Sequence, residues 1–224
     1  MTHAKPIVAA LLLAAFANTS SAQTTSNTIS TGVSFGTGFS TLRSDLFATS
    51  DARLGYSAGL SFVVPMGSRL ELNPEISFTQ KGASGQAGAF RPEEAPEMQA
   101  YNYHYNAFEL GLLVGYQPFA SVSVRLQAGG FLDANQHNLS ENSHLFVGDL
   151  HDYTSAMPAS DLNDAFGGLD FGPAAGISVG NSRFRANFRY YLGVPNLYNY
   201  LEFKPEGHSI RSSAFRLTAT YFLF

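Results

Sequence analysis

The sequence predicts an all-β protein, an eight-stranded antiparallel up-and-down transmembrane β-barrel. Three observations predict this fold class. Apolar residues alternate with small or polar ones in eight segments, the connections alternate between long and short, and no apolar run after residue 22 approaches 18 residues. Strands of about ten residues cross a bilayer at a tilt. Apolar and polar residues would also alternate in a soluble β-sandwich with one solvent-exposed face, so the two folds must be distinguished by the composition of the individual strands.

The first 22 residues have the features of a secretory signal peptide. Lys5 supplies a basic start, residues 7–17 an apolar core, and residues 20–22 a small-residue cleavage site before Gln23. An apolar core of this length is too short to span a bilayer as a helix; a buried N-terminal helix is the alternative. We expect a signal peptide at 1–22, a short N-terminal segment at 23–27 and a barrel domain at 28–224.

The composition excludes several classes of function. The chain contains no Cys, so neither a disulfide framework nor thiolate chemistry is available. Without Lys5, 12 basic residues face 17 acidic ones, a net charge of −5. Nucleic-acid binding requires a basic surface, so this charge argues against it.

The eight predicted strands follow one another with alternating short and long connections. The strands are expected at residues 29–40, 54–64, 70–81, 105–116, 122–132, 168–179, 183–192 and 215–223. Short turns are expected at 65–68, 117–120 and 180–182, and long connections at 41–52, 82–100, 133–164 and 195–209. Three tight turns on one side and four long loops on the other are typical of outer-membrane barrels.

Strand 183–192 indicates which face turns outward. Phe184, Phe188 and Leu192 share one face, whereas the opposite face carries three arginines. An arginine on the lipid face costs about 2–4 kcal/mol at the bilayer midplane, so the arginines should point inward. Because buried charges need partners, we predict an interior charge network. Its members are Glu71, Glu75, Lys81, Glu109, Arg125, Asp170, Arg183, Arg185 and Arg189.

Glycine and serine dominate the opposite face of the first, second and sixth predicted strands. An eight-stranded barrel is barely wide enough for its own side chains, so small residues leave room for the charges. The same pattern produces Gly-x-Ser-x-Gly at 32–36, 55–59 and 176–180. A nucleophile elbow is a strained strand-to-helix turn, and period two alone explains these matches. We assign no catalytic residue, no metal site and no cofactor.

Candidate binding residues lie in the long connections and just before the fourth strand. Histidines spaced by seven do not form a ligand motif, and tyrosines beside a strand also fit an interfacial aromatic girdle. The possible loop-binding residues are Tyr101, Tyr103, His137, His144, His151, Tyr198 and Tyr200.

Three runs in the chain resemble the PorT-like outer-membrane β-barrel family. They are residues 70–82 (LELNPEISFTQKG), 169–176 (LDFGPAAG) and 188–197 (FRYYLGVPNL). The resemblance spans roughly residues 28–224 and implies an eight-stranded barrel in the outer membrane of a Gram-negative bacterium. Some members of that family are linked to protein secretion.

The C-terminal residue departs from the pattern expected of such barrels. Phe224 shares parity with Phe222, whereas the apolar face of the last strand carries Leu217, Tyr221 and Leu223. Either a bulge shifts the register near the end, or Phe224 does not point outward.

We therefore expect a non-enzymatic outer-membrane barrel with a packed polar interior that acts as a scaffold for extracellular loops. These loops would serve binding, envelope structure or protein secretion. The expected partners are lipopolysaccharide and phospholipid, with a protein of the envelope or the secretion machinery as a further candidate, and no nucleic acid. Two alternatives stay open: a barrel enzyme that uses loop His and Asp residues, and a narrow diffusion pore.

Overall fold

The computed structural model describes eight ranges of the chain, which contain ten strands. The ranges are residues 28–44, 49–89, 97–119, 123–136, 146–148, 157–158, 168–197 and 209–223. The strands are β1 Ser30–Ser44, β2 Thr49–Pro65, β3 Leu70–Ala89, β4 Glu97–Tyr116, β5 Val124–Gln136, β6 Phe146–Gly148, β7 Met157–Pro158, β8 Leu169–Gly180, β9 Phe184–Leu192 and β10 Ile210–Phe222.

Eight of these strands close into a barrel. Their order around the wall is β1, β2, β3, β4, β5, β8, β9 and β10, and β10 pairs with β1 to close it. Every pairing is antiparallel, and each of the eight strands lies beside its neighbours in chain order. The predicted eight-stranded up-and-down barrel is confirmed. The two short strands β6 and β7 lie outside the wall, where β6 pairs with the far end of β3.

Several strands are longer than the sequence pattern predicts. β3 and β4 have 20 residues each and pair without interruption from Leu70↔Tyr116 to Ala89↔Glu97. The predicted insertion at 82–100 is therefore mostly strand, and β1 and β2 likewise extend into the predicted connection at 41–52. The backbone ladder continues beyond the apolar band, where side chains no longer alternate, so the period-two signal ends before the strands do.

Side-chain exposure divides the wall into two faces. Most large apolar residues of the barrel strands point outward, as Phe35 (65% exposed), Leu60 (44%) and Leu217 (53%) illustrate, whereas Leu113, Phe131 and Tyr191 are buried inside. The alternate residues are buried inside and are mostly polar or charged. Within the described ranges, no helix has the length and hydropathy needed to cross a membrane.

Short turns join the strands at one end of the barrel, which we name the short-turn end; the opposite end is the loop end. At the β2–β3 turn, Met66 N donates to Leu70 O at 2.8 Å, and Gly67 adopts a φ of 115°, which favours glycine. At the β8–β9 turn, the Asn181 side chain accepts hydrogen bonds from the backbone of Arg183 and Phe184 at 2.9 Å each. These local bonds hold the turns tight.

The last strand keeps one register along its whole length. β10 pairs with β1 from Ser44↔Ile210 to Gly32↔Phe222 without a shift, so no bulge occurs between residues 210 and 222. Phe222 is buried inside, whereas Leu223 is exposed outside. Phe224 lies outside the described residues.

Candidate functional site

Ion pairs fill the barrel interior at three levels, and some of them cross its full width. Among the described residues, the pairs involve four acidic and five basic side chains, and a fifth acid, Asp170, lies beside them. The acids are Glu71, Glu75, Glu109, Asp133 and Asp170; the bases are Lys81, Arg125, Arg185, Arg189 and Arg216. The formal charges of this set cancel.

The first level lies at the short-turn end. Arg185 Nη1 donates to Glu71 Oε1 at 2.7 Å, and Arg125 Nε lies 3.1 Å from Glu71 Oε2. The Arg185 guanidinium also lies over the Phe222 ring, 5.2 Å from its centroid. Two guanidiniums thus share one carboxylate at this level.

The second level is a two-pronged pair in the middle of the barrel. Arg189 donates from Nη1 to Glu75 Oε2 at 2.5 Å and from Nη2 to Glu75 Oε1 at 2.8 Å. Its Nε donates to Gln127 Oε1 at 2.8 Å, and Ser61 Oγ donates to Glu75 Oε1 at 3.2 Å. This bidentate geometry is the strong form of the arginine–carboxylate interaction.

The third level lies towards the loop end and is the most deeply buried. Arg216 donates from Nη1 and Nη2 to the two oxygens of Glu109 at 2.5 and 2.7 Å. Lys81 Nζ lies 3.2 Å from Glu109 Oε2 and also donates to Asp133 Oδ2. The Arg216 guanidinium also lies over the Tyr191 ring, 4.3 Å from its centroid, in a cation–π contact.

A fifth carboxylate, Asp170, lies beside the third level. It is the cross-strand partner of Asp133 and accepts a hydrogen bond from Ser212 Oγ. A Cβ atom at Gly193 would lie 2.7 Å from Asp170 Oδ1 and 2.3 Å from Ser212 Oγ. Glycine at position 193 therefore allows the carboxylate to approach the backbone.

The cancelling charges are not evenly distributed along the barrel. The first level has two guanidiniums and one carboxylate, a net charge of +1, and the second level is neutral. The third level with Asp170 has two cations and three carboxylates, a net charge of −1. The interior is therefore positive at the short-turn end and negative towards the loop end.

The structure brings eight of the nine predicted network residues together and separates one. Arg183 lies in the turn before β9 and is exposed, because β9 begins only at Phe184. Its placement among the interior charges was wrong. Sequence reasoning also missed two members, Asp133 and Arg216. Asp133 falls in the predicted long connection but belongs to β5 in the structure. Arg216 shares the inward parity of Thr218 and Thr220, which the sequence pattern shows.

The tyrosines predicted to precede the fourth strand lie within it. Tyr101 and Tyr103 belong to β4, and Tyr103 is only 3% exposed, so its side chain is available neither to a girdle nor to a ligand at the surface. Tyr105 is equally buried, at 2%. The remaining loop-binding candidates lie outside the described residues: His137, His144, His151, Tyr198 and Tyr200.

The three Gly-x-Ser-x-Gly serines sit on the inner face of the wall. Ser34, Ser57 and Ser178 belong to β1, β2 and β8, away from any strand-to-helix turn in the described chain. In the same described ranges, no three His, Asp or Glu side chains are grouped in a way that could hold a metal ion. Instead of a catalytic or metal site, the described interior contains a network of paired charges.

A closed wall that is apolar outside and charged inside defines a transmembrane β-barrel. The chain belongs to the family of the outer membrane protein beta-barrel domain, whose model matches residues 16–199. It is therefore a barrel of the outer membrane.

Solved outer-membrane barrels are similar to this chain at low identity. Neisserial surface protein A (NspA) matches with 14% identity and a TM-score of 0.45, covering 87% of this chain and 98% of that protein. Ail of Yersinia pestis, solved with the heparin analogue sucrose octasulfate, matches with 10% identity and a TM-score of 0.43, covering 87% and 99%. OprG of Pseudomonas aeruginosa gives 8% and 0.38, covering 87% and 94%. No curated protein matches the sequence significantly.

Proposed function

We propose that this protein is a non-enzymatic anchor in the outer membrane whose lumen is plugged and whose outer end presents a projecting β-sheet for recognition. The observation that carries the proposal is the set of ion pairs that cross the lumen. The alternatives of a barrel enzyme and a diffusion pore have no comparable feature among the described residues.

The ion pairs connect opposite sides of the wall. β3 and β9 lie four positions apart around the eight-stranded wall, as do β4 and β10. The pairs Glu71–Arg185 and Glu75–Arg189 connect β3 with β9, and the pair Glu109–Arg216 connects β4 with β10. Each pair therefore spans the lumen. The lumen of an eight-stranded barrel is just wide enough to be filled by side chains, so these pairs favour a sealed interior over a water-filled pore.

The projecting sheet consists of the far ends of β3 and β4 with β6 and β7. Phe78 on β3 contacts Phe108 on β4, with ring centroids 5.6 Å apart. Beyond Lys81, whose side chain still lies in the lumen, β3 continues for another eight residues to Ala89, which corresponds to about 26 Å along the strand. β2 covers the edge of β3 as far as Gln86, and β6 then pairs with Gly88 and Ala89. An edge covered in this way favours a defined surface over an aggregation-prone one.

The same proposal covers the source of the protein, its processing, its domain bounds and its partners. We infer a Gram-negative source, a signal peptide at 1–22 cleaved before Gln23, a segment at 23–27 and a barrel from 28 to 224. Lipopolysaccharide and phospholipid would surround the wall, and a protein of the envelope or secretion machinery would meet the loops. The PorT-like motifs quoted above support this relationship. The mass of the mature protein from membranes tests the cleavage site.

The sealed lumen is tested by solute flux. The purified protein is reconstituted into liposomes, and swelling in arabinose and ion conductance across planar bilayers are measured, with a general porin as the positive control. We expect neither swelling nor stable conductance steps. Reproducible conductance that scales with the amount of protein would overturn the plug.

Single-cysteine labelling tests whether the projecting sheet faces the outside of the cell. The label is specific for the introduced cysteine because the chain contains no Cys. Asn102→Cys lies on the projecting part of β4, and Ser68→Cys is the matched control in an exposed short turn. A membrane-impermeant maleimide should label Asn102→Cys on intact cells, and Ser68→Cys only after the outer membrane is permeabilised. The reverse pattern would refute outward display.

A further inference from the structure

The short-turn end of the interior has more hydrogen-bond donors than its own side chains can use. Two guanidiniums, those of Arg125 and Arg185, contact one carboxylate, that of Glu71. This level therefore has a net charge of +1 before any ligand binds. A buried charge without a counter-charge is costly, so a neutralising anion would stabilise it.

The hydrogen bonds at this level leave specific donors unused. Arg125 Nη1 and Arg185 Nε are buried and make no hydrogen bond to any described residue. The same holds for Asn73 Nδ2, whose residue is only 3% exposed, and for Ser178 Oγ, whose residue is completely buried. A buried donor without an acceptor is destabilising, and more so when the donor is charged. Four such donors at one level point to an acceptor that carries several oxygens.

The strand register and the contacts of Glu71 group these donors at the short-turn end of the barrel. Ser178 is the cross-strand partner of Arg125 on one side and of Asn187 on the other, and Arg185 precedes Asn187 by two residues on the same face. Ser178 therefore lies on the strand between those that carry the two arginines. On the opposite side, a point one Cβ length from Gly115 lies 3.0 Å from Glu71 Oε1 and 3.1 Å from Asn73 Nδ2. Asn73 Nδ2 and the Glu71 carboxylate thus lie beside the same glycine.

Solvent can reach this level from the short-turn end. The side chains of Arg125, Glu71 and Arg185 keep 16%, 10% and 8% of their surface exposed, whereas Lys81 and Asp133 at the third level keep 4% and 0%. The side chains of the first level are therefore more open to solvent than those of the third level.

We propose that the short-turn end of the lumen binds a small oxyanion of the phosphate class. Arg125 and Arg185 neutralise it, and Asn73 and Ser178 donate hydrogen bonds to its oxygens. Guanidinium groups match the geometry of phosphate oxygens, and one added negative charge balances the excess of +1. Glu71 limits the affinity because it repels the anion while it orients the arginines.

The test is isothermal titration calorimetry of the full chain with inorganic phosphate in a phosphate-free non-ionic detergent at low salt. We expect one phosphate per barrel. Arg125→Gln should weaken binding about tenfold or more, since a hydrogen bond to a charged group contributes that much. Arg183→Gln is the matched control: it removes the same charge at the same end, but from an exposed turn, and should change the affinity by less than about twofold.

Glu71→Gln is the second variant, and it separates binding from a structural role. It raises the charge of the level from +1 to +2 and should tighten phosphate binding, even though it removes an ion pair. Heat-modifiable migration on gels verifies that each variant is folded. Absence of phosphate binding by the folded parent, equal weakening by Arg125→Gln and Arg183→Gln, or weaker binding by folded Glu71→Gln would each overturn the proposal.

The phosphate group could be free or belong to a lipid headgroup, and competition distinguishes the two. Short-chain phosphatidylglycerol is titrated into the phosphate-loaded barrel. Displacement at equal concentration assigns the site to headgroups, and lack of displacement assigns it to the free ion. Both results presuppose that phosphate binds at the proposed site.

Discussion

Replacing Arg216 by methionine is the perturbation that probes the interior most sharply. Arg216 binds both oxygens of Glu109 and lies over the Tyr191 ring. Methionine keeps much of the apolar length of the arginine side chain but removes the charge and both hydrogen bonds. Glu109, only 2% exposed, would then depend on Lys81, which it shares with Asp133.

The magnitude follows from the burial of this pair. Removing one partner of a buried ion pair costs about 3–5 kcal/mol, because the remaining charge is uncompensated. Replacing both partners by apolar residues removes that penalty. The double variant Arg216→Met with Glu109→Leu should therefore lose less free energy of unfolding than the two single variants together. The expected coupling between the sites is about 1–3 kcal/mol.

The assay is urea unfolding in lipid vesicles, followed by circular dichroism and by heat-modifiable migration, because the chain contains no Trp for fluorescence. Arg211→Met is the control, since Arg211 lies on the same strand but is exposed, and it should change the free energy of unfolding by less than about 0.5 kcal/mol. A loss below about 1 kcal/mol for Arg216→Met, or strict additivity in the double variant, would refute the buried charge network as a source of stability.

Two further predictions concern the packing of the wall and its outer face. A Cβ at Gly36 would lie 2.4 Å from the backbone oxygen of Leu217, whereas a Cβ at Gly111 would have its nearest neighbour at 3.6 Å. Gly36→Ala should therefore lower the free energy of unfolding in urea by about 1–3 kcal/mol. Equal effects of Gly36→Ala and Gly111→Ala would contradict this account. Phe188→Arg places a charge near the middle of the outward face of β9 and should lower the free energy of unfolding in the membrane by about 2–4 kcal/mol. Phe184→Arg lies at the strand end and should lower it by at most about 1 kcal/mol. Folding yields in vesicles that rank the two variants in the opposite order would show that this face does not meet lipid.

The sequence alone predicted the barrel and the orientation of its wall because both depend on a local pattern. On β9, Phe184 and Phe188 alternate with Arg185 and Arg189, and this alternation survives in the structure. Burial of one strand face is a property of neighbouring residues, so no long-range information is needed to read it.

Strand ends and individual ion pairs could not be predicted in the same way. Beyond Lys81 the ladder of β3 continues without an alternating side-chain pattern, so the strand appeared to stop there. Glu71 and Arg185 lie 114 residues apart, and their contact depends on which strands face each other across the closed barrel. Parity assigned both residues to the interior, but only the closed topology determines their pairing.

The account depends most on the orientation of the wall, and a nitroxide scan tests this directly. Single labels at Leu217, Ala219 and Tyr221 on β10, with exposed Arg211 on the same strand as the reference, are measured by power-saturation EPR in lipid vesicles. At the three outward positions we predict high accessibility to oxygen and low accessibility to a water-soluble nickel chelate. High nickel accessibility along the whole strand would contradict a lipid-facing apolar wall.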